Sequence, residues 1–345
     1  MNSIRVGIAG ATGYTGSELV RILRHHPYVH LEVITSENRT GERFSSVHPA
    51  FHGIEDRTLE PISEMAKRDL DLVFLALPNG ASMDFLRDYG VERFRIVDLS
   101  GDFRLRSAAV YEEWYRKTHV APEYLTEAVY GLPEWYRSRI SGARLVANPG
   151  CYPTSAILAL APLLCSGLIQ PTGIVVDSQS GVTGAGATAR PATHFPDVFG
   201  NFRAYGLLRH RHTPEMEQAL SDTAGLAAQL LFTPHLLPID RGILTTAYAQ
   251  TVDGVDAAAL HDAYKKYYGD EYFIRMVNSP PAVKYVRGSN YCDIYAAHDI
   301  RTNQVVVLSA IDNLVKGAAG QAVQNMNIMF AFPETTALDQ CPLSP

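Results

Sequence analysis

The chain has 345 residues, of which 46% are hydrophobic and 19% are charged, a composition typical of a folded globular protein that excludes a largely disordered chain. At roughly 100–200 residues per domain, this length favours two domains. The 30 Lys and Arg residues against 36 Asp and Glu residues give a net charge of −6, and because no basic block is present the nucleic-acid-binding class is disfavoured.

The first third of the chain alternates short apolar runs with helical patterns, as a parallel α/β sheet requires. Strands are predicted at residues 5–9, 31–35, 70–77, 95–99 and 144–147, and helices at residues 17–25 and 81–89.

The pattern changes after residue 150. An apolar helix is predicted at residues 153–164, with strands at residues 173–177, 230–233, 243–251, 272–277, 291–297 and 304–311. Their alternation and hairpin-like spacing predict an α+β domain with a largely antiparallel sheet. A last helix over residues 314–330 is rich in small residues and is expected to return to the first domain. We therefore predict a first domain of residues 1–150 completed by residues 314–345, and a second domain of residues 151–313.

Targeting segments and cysteine motifs are not evident in the sequence. The first residues pass straight into a strand pattern, which predicts no signal peptide. The longest apolar run, residues 156–164, is shorter than the ~20 residues of a membrane span. The four cysteines form no CxxC pair, which excludes a disulfide framework and a structural zinc site. We expect a cytoplasmic protein without a bound metal.

A glycine-rich turn, Gly10-Ala11-Thr12-Gly13-Tyr14-Thr15-Gly16, joins the first strand to the first helix. Missing side chains let a backbone approach a pyrophosphate, and the helix N-terminus supplies N–H donors. The turn therefore predicts a dinucleotide site that includes Gly10, Thr12, Gly13, Tyr14, Thr15 and Gly16. A tight turn without a ligand is the alternative.

The end of the second strand bears on the choice of cofactor. An acidic residue there is typical of NAD sites, whereas a neutral residue with an arginine holds the 2′-phosphate of NADP. Ser36 and Arg39 favour NADP, while Glu37 leaves NAD open. Leu77 and Pro78 lie at the end of the third strand, where cofactor contacts collect in open α/β sheets.

The glycine turn also suits a short-chain dehydrogenase, whose chemistry needs a tyrosine four residues before a lysine. None of the 18 tyrosines has a lysine at that position. This class is therefore excluded.

Cys151 follows Asn148-Pro149-Gly150 and precedes the apolar helix. A helix N-terminus stabilises negative charge, which favours a thiolate. Beside a nicotinamide, such a thiolate attacks an activated acyl group, expels the leaving group and forms a thioester, which hydride reduces until an aldehyde is released. We interpret Cys165, Cys292 and Cys341 as ordinary small hydrophobic residues.

This chemistry needs a group that donates and accepts a proton. His212 is the candidate, because the ordinary pKa of histidine near ~6.5 suits transfer in both directions. We expect Thr213 to cap a helix that begins at Pro214, which leaves His212 just outside that helix. A surface pair of His210 and His212, with or without an adventitious metal, is the alternative.

These motifs together resemble the semialdehyde dehydrogenase family, in its branch of arginine biosynthesis. Residues 146–155, Val-Ala-Asn-Pro-Gly-Cys-Tyr-Pro-Thr-Ser, are similar to the family's active-site signature without a departure. Further similar blocks lie at residues 10–16, 98–104, 130–134, 159–162 and 210–215. The resemblance spans nearly the whole chain.

The resemblance implies that Cys151 is the nucleophile and His212 the acid/base. It implies NADPH as hydride donor, a Rossmann domain closed by the C-terminal helix, and a homo-oligomer, either a dimer or a tetramer. The implied reaction is the reductive dephosphorylation of N-acetyl-γ-glutamyl phosphate to the 5-semialdehyde, the third step of arginine biosynthesis from N-acetylglutamate. Neither nucleic acid nor a membrane is an expected partner.

The same resemblance places Asn313 on the nicotinamide side of the site. Gln179, Ser180 and Gly181 begin a glycine-rich segment, residues 179–186, that either forms an anion-binding nest near Cys151 or is a plain flexible loop. We expect Ser180 and Gly181 to contact the cofactor and Gln179 to contact the substrate.

Further substrate contacts are expected from Asn148 and from three cations. Arg104, Lys284 and Arg287 are candidates for the phosphate and the α-carboxylate of the substrate, with ordinary surface charge as the alternative.

Two sibling activities and one non-enzymatic function stay open. An aspartyl phosphate reductase is disfavoured by the sequence Pro-Gly-Cys-Tyr-Pro-Thr at residues 149–154. A reductase of carrier-linked aminoadipyl phosphate differs mainly in its substrate pocket. A non-catalytic NADP-binding regulator is disfavoured because it needs neither Cys151 nor His212.

Overall fold

The computed structural model describes residues 3–343. These residues fold as two units, the first containing residues 3–149 and 318–339 and the second containing residues 150–317 and 340–343. We expected the chain to return to the first unit at residue 314 and to stay there. The structure instead returns at residue 318, and the last four described residues lie with the second unit.

The first unit begins with alternating strands and helices. Its elements up to residue 149 are β1 (Ile4–Ala9), α1 (Tyr14–Leu23), β2 (Val29–Thr35), α2 (Phe44–Val47), β3 (Leu72–Leu75), α3 (Ala81–Tyr89), β4 (Arg95–Asp98), α4 (Ala108–Tyr115), β5 (Val129–Tyr130), α5 (Pro133–Ser141) and β6 (Leu145–Ala147).

The second unit opens on a long apolar helix. Its elements are α6 (Cys151–Cys165), β7 (Ile174–Gly181), α7 (Phe195–Val198), β8 (Arg203–Ala204), α8 (His212–Ala224), β9 (Leu230–Leu237), β10 (Ile243–Gln250), α9 (Ala257–Tyr268), β11 (Ile274–Met276), β12 (Cys292–Asp299) and β13 (Gln304–Ile311). A π-helix follows at Val315–Ala319, and α10 (Gly320–Met329) belongs to the first unit.

The sheet of the first unit has the strand order β2-β1-β3-β4-β6-β5, and all of its strand pairs are parallel. Strands β3 and β6 are buried along their whole length, which is why their sequences are continuous apolar runs without alternation. The strand order reverses between β1 and β3, and open α/β sheets bind ligands at such a point. The turns after β1 and β3 therefore flank the expected cofactor site.

Helix α10 completes the first unit through buried polar side chains. It packs against α1 and α5. Asn325 Nδ2 donates to the carbonyl oxygen of Gly131 at 2.9 Å and to Asn148 Oδ1 at 3.0 Å, and Asn327 Oδ1 is 2.9 Å from His26 Nε2. Buried amides need such partners, so these bonds fix the position of α10.

The sheet of the second unit has the order β11-β12-β13-β10-β7-β9-β8. Four of its six strand pairs are antiparallel, and the pairs β11–β12 and β7–β9 are parallel. This confirms the predicted, largely antiparallel second sheet, to which the structure adds two parallel pairs. Helix α6 packs on β10 and β13 and against α8 and α9. Its near-complete burial explains why its sequence is apolar on all sides.

A chain of buried hydroxyl groups lies between α6 and this sheet. Ser155 Oγ lies 2.9 Å from Thr245 Oγ1 and 3.0 Å from Ser309 Oγ, within hydrogen-bond distance of both. Ser178 Oγ is 2.8 Å from the same Thr245 oxygen. All four side chains are buried. Because a slipped helix would leave these groups unpaired, they fix the register of α6 over the sheet.

Two predicted elements differ from the structure in ways that affect the site. The segment predicted as one helix over residues 314–330 begins as a π-helix, because the Gly317 N–H bonds to the Asp312 carbonyl oxygen five residues earlier. The helix predicted to begin at Pro214 begins at His212 and has no side-chain cap. The reason is that His210 satisfies its first amides: the Thr213 N–H bonds to the His210 carbonyl oxygen, and the His212 N–H bonds to His210 Nδ1.

Candidate active site

The glycine turn leaves room only for backbone. Gly10 has φ +83°, and a Cβ there would lie 2.4 Å from the carbonyl oxygen of Ala76. A Cβ on Gly16 would lie 2.3 Å from the carbonyl oxygen of Gly10. Any side chain at either position would push the turn away from the start of α1. Helix α1 begins at Tyr14, and the amides of its first turn have no carbonyl partner within the helix. Such amides can bind a pyrophosphate.

The end of β2 offers an uncharged surface and an arginine. Ser36 Oγ is 3.0 Å from Thr12 Oγ1, so the end of β2 is linked to the glycine turn. Glu37 Oε1 accepts the Ile62 N–H at 2.7 Å. Arg39 Nη1 is 3.3 Å from Glu42 in an exposed ion pair. Because its carboxylate is engaged by a backbone amide, Glu37 is a poor candidate to bind a ribose hydroxyl pair.

The turns after β3 and β4 are joined by a buried carboxylate that the sequence analysis missed. Asp102 accepts the Gly80 N–H at 2.6 and 2.8 Å, and the Tyr111 hydroxyl donates to it at 2.7 Å. This contact holds the turn that contains Leu77 and Pro78. Asp102 lies inside the block at residues 98–104, and its acidic side chain was the signal that could have identified it. The sequence analysis gave Asp102 no role of its own.

A second buried carboxylate, Asp98, lies in the same cluster. It accepts the Ser100 N–H at 3.1 Å and the Ser100 hydroxyl at 2.8 Å. Burial, with a further contribution from the charge of Asp102, raises the pKa of Asp98 to about 7. The first unit therefore contains a carboxyl group that changes its charge near neutral pH.

Arg104 and Asn148 are bound to neighbouring backbone in the first unit. Arg104 Nε donates to the Asn148 carbonyl oxygen at 2.8 Å and Nη2 to the Leu99 carbonyl oxygen at 3.0 Å. Asn148 Nδ2 donates to the Ala318 carbonyl oxygen at 3.2 Å, and Asn148 Oδ1 accepts from Asn325. The structure thus gives Asn148 a task that we did not expect, which is to hold the returning C-terminal segment.

Cys151 is the first residue of α6. The preceding Gly150 N–H donates to Glu215 Oε1 at 2.8 Å, and Glu215 is fully buried in the first turn of α8. This bond joins the two helix starts that carry Cys151 and His212. Sequence analysis missed Glu215, although its position three residues after His212 puts the two on one helix face.

His212 is the first residue of α8 and is buried among aromatic rings. Its ring centroid lies 4.7 Å from that of His210 and 5.9 Å from that of Tyr152, the residue that follows Cys151. Burial, with a smaller contribution from Arg211, lowers the pKa of His210 to about 4. His210 is therefore neutral at pH 7, and its Nδ1 accepts the His212 N–H at 3.2 Å.

Two tyrosine hydroxyls lie beside this group. The hydroxyls of Tyr152 and Tyr205 are 2.9 Å apart, and that of Tyr152 also donates to the His235 carbonyl oxygen at 3.3 Å. Burial raises the pKa of Tyr152 and raises the pKa of Tyr205 to about 12. Both are neutral hydroxyls at physiological pH.

The glycine-rich segment after β7 is held by the turn before β10. The amides of Gly181, Val182 and Thr183 donate to carbonyl oxygens of residues 239–242. These three amides are already bonded, so the structure does not present them as an anion-binding nest. Ser180 is buried, whereas Gln179 lies on the opposite face of β7, where it bonds to Asp177. The structure thus separates Gln179 from the side of β7 that faces α6.

Asn313 joins the same two loops. Its Oδ1 accepts the Gly242 N–H at 2.7 Å, and its Nδ2 donates to Thr183 Oγ1 at 2.9 Å. Among the cations, Lys284 is exposed, and Arg287 is 2.5 Å from Asp240. Arg241, which the sequence analysis did not select, lies 3.4 Å from the buried Asp312.

Residues 3–343 contain no group of three or more His, Cys, Asp or Glu side chains placed to hold a metal ion. In the same part of the chain, no helix combines the length and the apolar character that a membrane crossing requires.

Comparison with known proteins assigns the family. Residues 5–143 match the model "Semialdehyde dehydrogenase, NAD binding domain", and residues 151–313 match "Semialdehyde dehydrogenase, dimerisation domain". The chain belongs to the semialdehyde dehydrogenase family and is an oxidoreductase.

Particular relatives carry a more specific name. A protein of Symbiobacterium thermophilum is 50% identical over 97% of both chains and is named N-acetyl-gamma-glutamyl-phosphate reductase. One of Desulfotalea psychrophila with the same name is 49% identical over 99% of this chain and 100% of its own.

Solved structures agree in fold. Aspartate semialdehyde dehydrogenase II of Vibrio cholerae, complexed with ASA, has a TM-score of 0.73 at 16% identity, covering 96% of this chain and 99% of that one. Aspartate semialdehyde dehydrogenase of Candida albicans, with NADP, has a TM-score of 0.66 at 14% identity, covering 96% and 99%. At these identities the likeness confirms the two-domain fold class.

Proposed function

We propose that this chain reduces N-acetyl-γ-glutamyl phosphate to N-acetylglutamate 5-semialdehyde with NADPH, through a thioester at Cys151. The observation that carries the proposal is the pairing of two helix starts: Cys151 opens α6, His212 opens α8, and Glu215 links them through the Gly150 amide. The name shared by relatives at 49–50% identity supports the substrate.

The residues of the second unit divide the chemistry between them. The Cys151 thiolate, favoured by the amides at the start of α6, attacks the acyl carbon, and phosphate leaves with the electron pair of the broken C–O bond. The bound cofactor supplies the hydride that reduces the thioester. His212 protonates the resulting oxyanion and later removes that proton as the C–S bond breaks, which releases the aldehyde and restores the thiolate.

The proposal includes NADP(H) as the cofactor. The glycine turn supports a pyrophosphate site, because a Cβ on Gly10 or Gly16 would collide with a backbone carbonyl oxygen and displace the turn that precedes the first amides of α1. The contact between Glu37 and the Ile62 amide supports NADP, since it removes the acidic residue that an NAD site presents to the ribose. Ser36 and Arg39 are the proposed ligands of the 2′-phosphate.

Local positive charge attracts the anionic substrate. Arg287 and Lys284 are the proposed ligands in the second unit, and Arg241 is added because it lies beside Asp312 in the same loop cluster. Arg104 is proposed as the cation of the first unit. The overall net charge of −6 makes such local groups necessary.

The assignment is tested in the reverse direction by absorbance at 340 nm. With N-acetylglutamate 5-semialdehyde, NADP and inorganic phosphate, we expect phosphate-dependent formation of NADPH and a much slower reaction with NAD. Turnover of aspartate semialdehyde but not of the N-acetylated substrate would overturn the substrate assignment. Reactions without phosphate are the control.

We further propose a homo-oligomer, formed through the face of the second sheet that points away from α6. Tyr248 pairs with Val306 on one side and with Val175 on the other, which in turn pairs with Leu231. Leu231 and Tyr248 are 48% and 41% exposed, so this apolar row needs a cover. By light scattering, Tyr248→Glu should yield a smaller species, whereas Ile54→Glu, an exposed site of the first unit, should not. An unchanged mass for Tyr248→Glu would contradict this interface.

A cytoplasmic location is part of the proposal. The chemistry requires a reduced thiol at Cys151, and none of the four cysteines, all of which lie within residues 3–343, forms a disulfide. A reducing compartment maintains that state.

A further inference from the structure

Gly317 lies directly against the proposed nucleophile. A Cβ on Gly317 would lie 2.8 Å from Cys151 Cβ and 3.2 Å from Cys151 Cα. Carbon atoms in contact prefer separations of roughly 3.5–4.0 Å. Any side chain at residue 317 would therefore displace the first residue of α6, because the neighbour is a Cα and a Cβ and not the flexible end of a long side chain.

The local backbone explains this close approach. The Gly317 N–H donates to the Asp312 carbonyl oxygen at 3.0 Å, which closes a turn over five residues. Val315–Ala319 is a π-helix, and the extra residue per turn widens the backbone at this point. Such single π-turns occur often at functional sites.

Asp312 holds the turn in place. Its Oδ1 accepts the Leu314 N–H at 2.8 Å and the Val315 N–H at 3.1 Å. Its Oδ2 accepts the Gly288 N–H at 2.7 Å and lies 3.4 Å from Arg241 Nη1. Asp312 is fully buried. Charge-assisted bonds from one buried carboxylate to this many donors make the turn rigid.

We propose that Gly317 is a positioning residue for Cys151: its missing side chain, on a turn held by Asp312, sets where the thiol lies. The inference rests on the proposed function, because it assumes that the reaction uses the Cys151 thiol. A misplacement of about 1 Å in an active site reduces the rate about 10²-fold. Gly317 is therefore required by packing against the nucleophile and not by its own backbone angles.

The test compares Gly317→Ala with the wild-type enzyme by two independent measurements. In the reverse assay we expect kcat to fall about 10²-fold while the KM for NADP stays unchanged. Peptide mass spectrometry after iodoacetamide treatment, over a range of pH, should give a changed rate and midpoint for alkylation of Cys151. Cys341 is exposed in the same chain, and its alkylation should stay the same.

Gly142→Ala is the matched control, because a Cβ there would contact nothing within 4 Å. It should leave both measurements unchanged. Should Gly317→Ala fail to fold, Asp312→Asn provides the second test. That variant replaces one acceptor oxygen by a donor and should lower kcat about 10-fold and alter Cys151 alkylation, without affecting cofactor binding.

The outcomes separate the two proposals. Unchanged kcat and unchanged Cys151 alkylation in a folded Gly317→Ala, or in Asp312→Asn, would overturn the positioning role. Full activity of Cys151→Ala would instead overturn the proposed function. In that case, an altered alkylation rate of Cys151 in Gly317→Ala would still support the packing of Gly317 against Cys151.

Discussion

The two units hold their candidate residues by different means. In the first unit, backbone and missing side chains form the glycine turn, where Gly10 and Gly16 leave no room for a Cβ. In the second unit, the buried side chain of Glu215 bonds to the amide of Gly150, 65 positions earlier in the chain. The glycine pattern can be recognised in consecutive residues, whereas a bond between distant residues cannot.

Replacing the nucleophile should affect the second unit alone. Cys151→Ser is expected to lower kcat on the order of 10⁴-fold or more, because removal of a nucleophile abolishes the covalent route. The affinity for NADPH, measured by fluorescence titration, should stay unchanged, since the proposed cofactor contacts lie mainly in the first unit. Substantial residual activity would contradict the thioester mechanism.

Replacing the acid/base residue should also lower turnover without weakening NADPH binding, but turnover should fall less than it does in Cys151→Ser. His212→Asn is expected to lower kcat about 10²–10⁴-fold, the usual contribution of general acid–base catalysis. Steady-state kinetics together with NADPH titration provide the measurement. Equal losses in turnover and in cofactor affinity would indicate a structural role for His212.

Acidification should change the stability of the two units in opposite directions. In the second unit, burial lowers the pKa of His210 from 6.5 to about 4, so its contribution to stability is present above pH 6.5 and is lost as the pH falls toward 4. In the first unit, burial and Asp102 raise the pKa of Asp98 from 3.8 to about 7. The contribution of its protonated form to stability is therefore fully present below pH 3.8 and is lost as the pH rises from 3.8 through 7.

Hydrogen–deuterium exchange of each unit between pH 4 and pH 7 tests this contrast. The pH dependence of stability of His210→Phe is subtracted from that of the wild-type protein. The difference should isolate a change of at most about 3 kcal/mol in the stability of the second unit. The same subtraction with Asp98→Asn should isolate a dependence of stability on pH of the opposite sign in the first unit. If stability changed with pH in the same direction in both differences, the opposite effects assigned to His210 and Asp98 would be contradicted.

The smallest change in kinetics is expected from a substitution that affects the choice between NADPH and NADH. Arg39→Ala is expected to raise the KM for NADPH about 10-fold, the loss of one hydrogen bond to a charged group, and to leave the KM for NADH unchanged. Steady-state kinetics with both cofactors measure it. Glu42→Ala, which frees Arg39 from its ion pair, should not raise the KM for NADPH.

Sequence reasoning succeeded where one segment contains the whole signal. The strand, the glycine turn and α1 are contiguous, and so are the turn Asn148–Gly150 and the start of α6. It therefore predicted a parallel sheet followed by a mostly antiparallel one. Its selection of Cys151 and His212 for catalysis stays a prediction.

It was less successful where the relevant partner is distant. The start of α8 depends on how His210 bonds to the amides that follow, and the burial of Glu215 depends on the packing of α6 against α8. The amides of residues 181–183 looked available in the sequence, but the structure uses them against residues 239–242. The packing of Gly317 against Cys151 joins positions 166 residues apart, the difference between their numbers.

The division of the first unit into two chain segments also affects the order in which it is made. Helix α10 supplies the amides that bond to Gly131 and Asn148, yet it follows the whole of residues 150–317. At about 5–20 residues per second, a ribosome needs roughly 8–34 seconds to add these 168 residues. During this interval the nascent first unit lacks the amides of α10, so this unit is begun first and is completed only after residues 150–317 have been made.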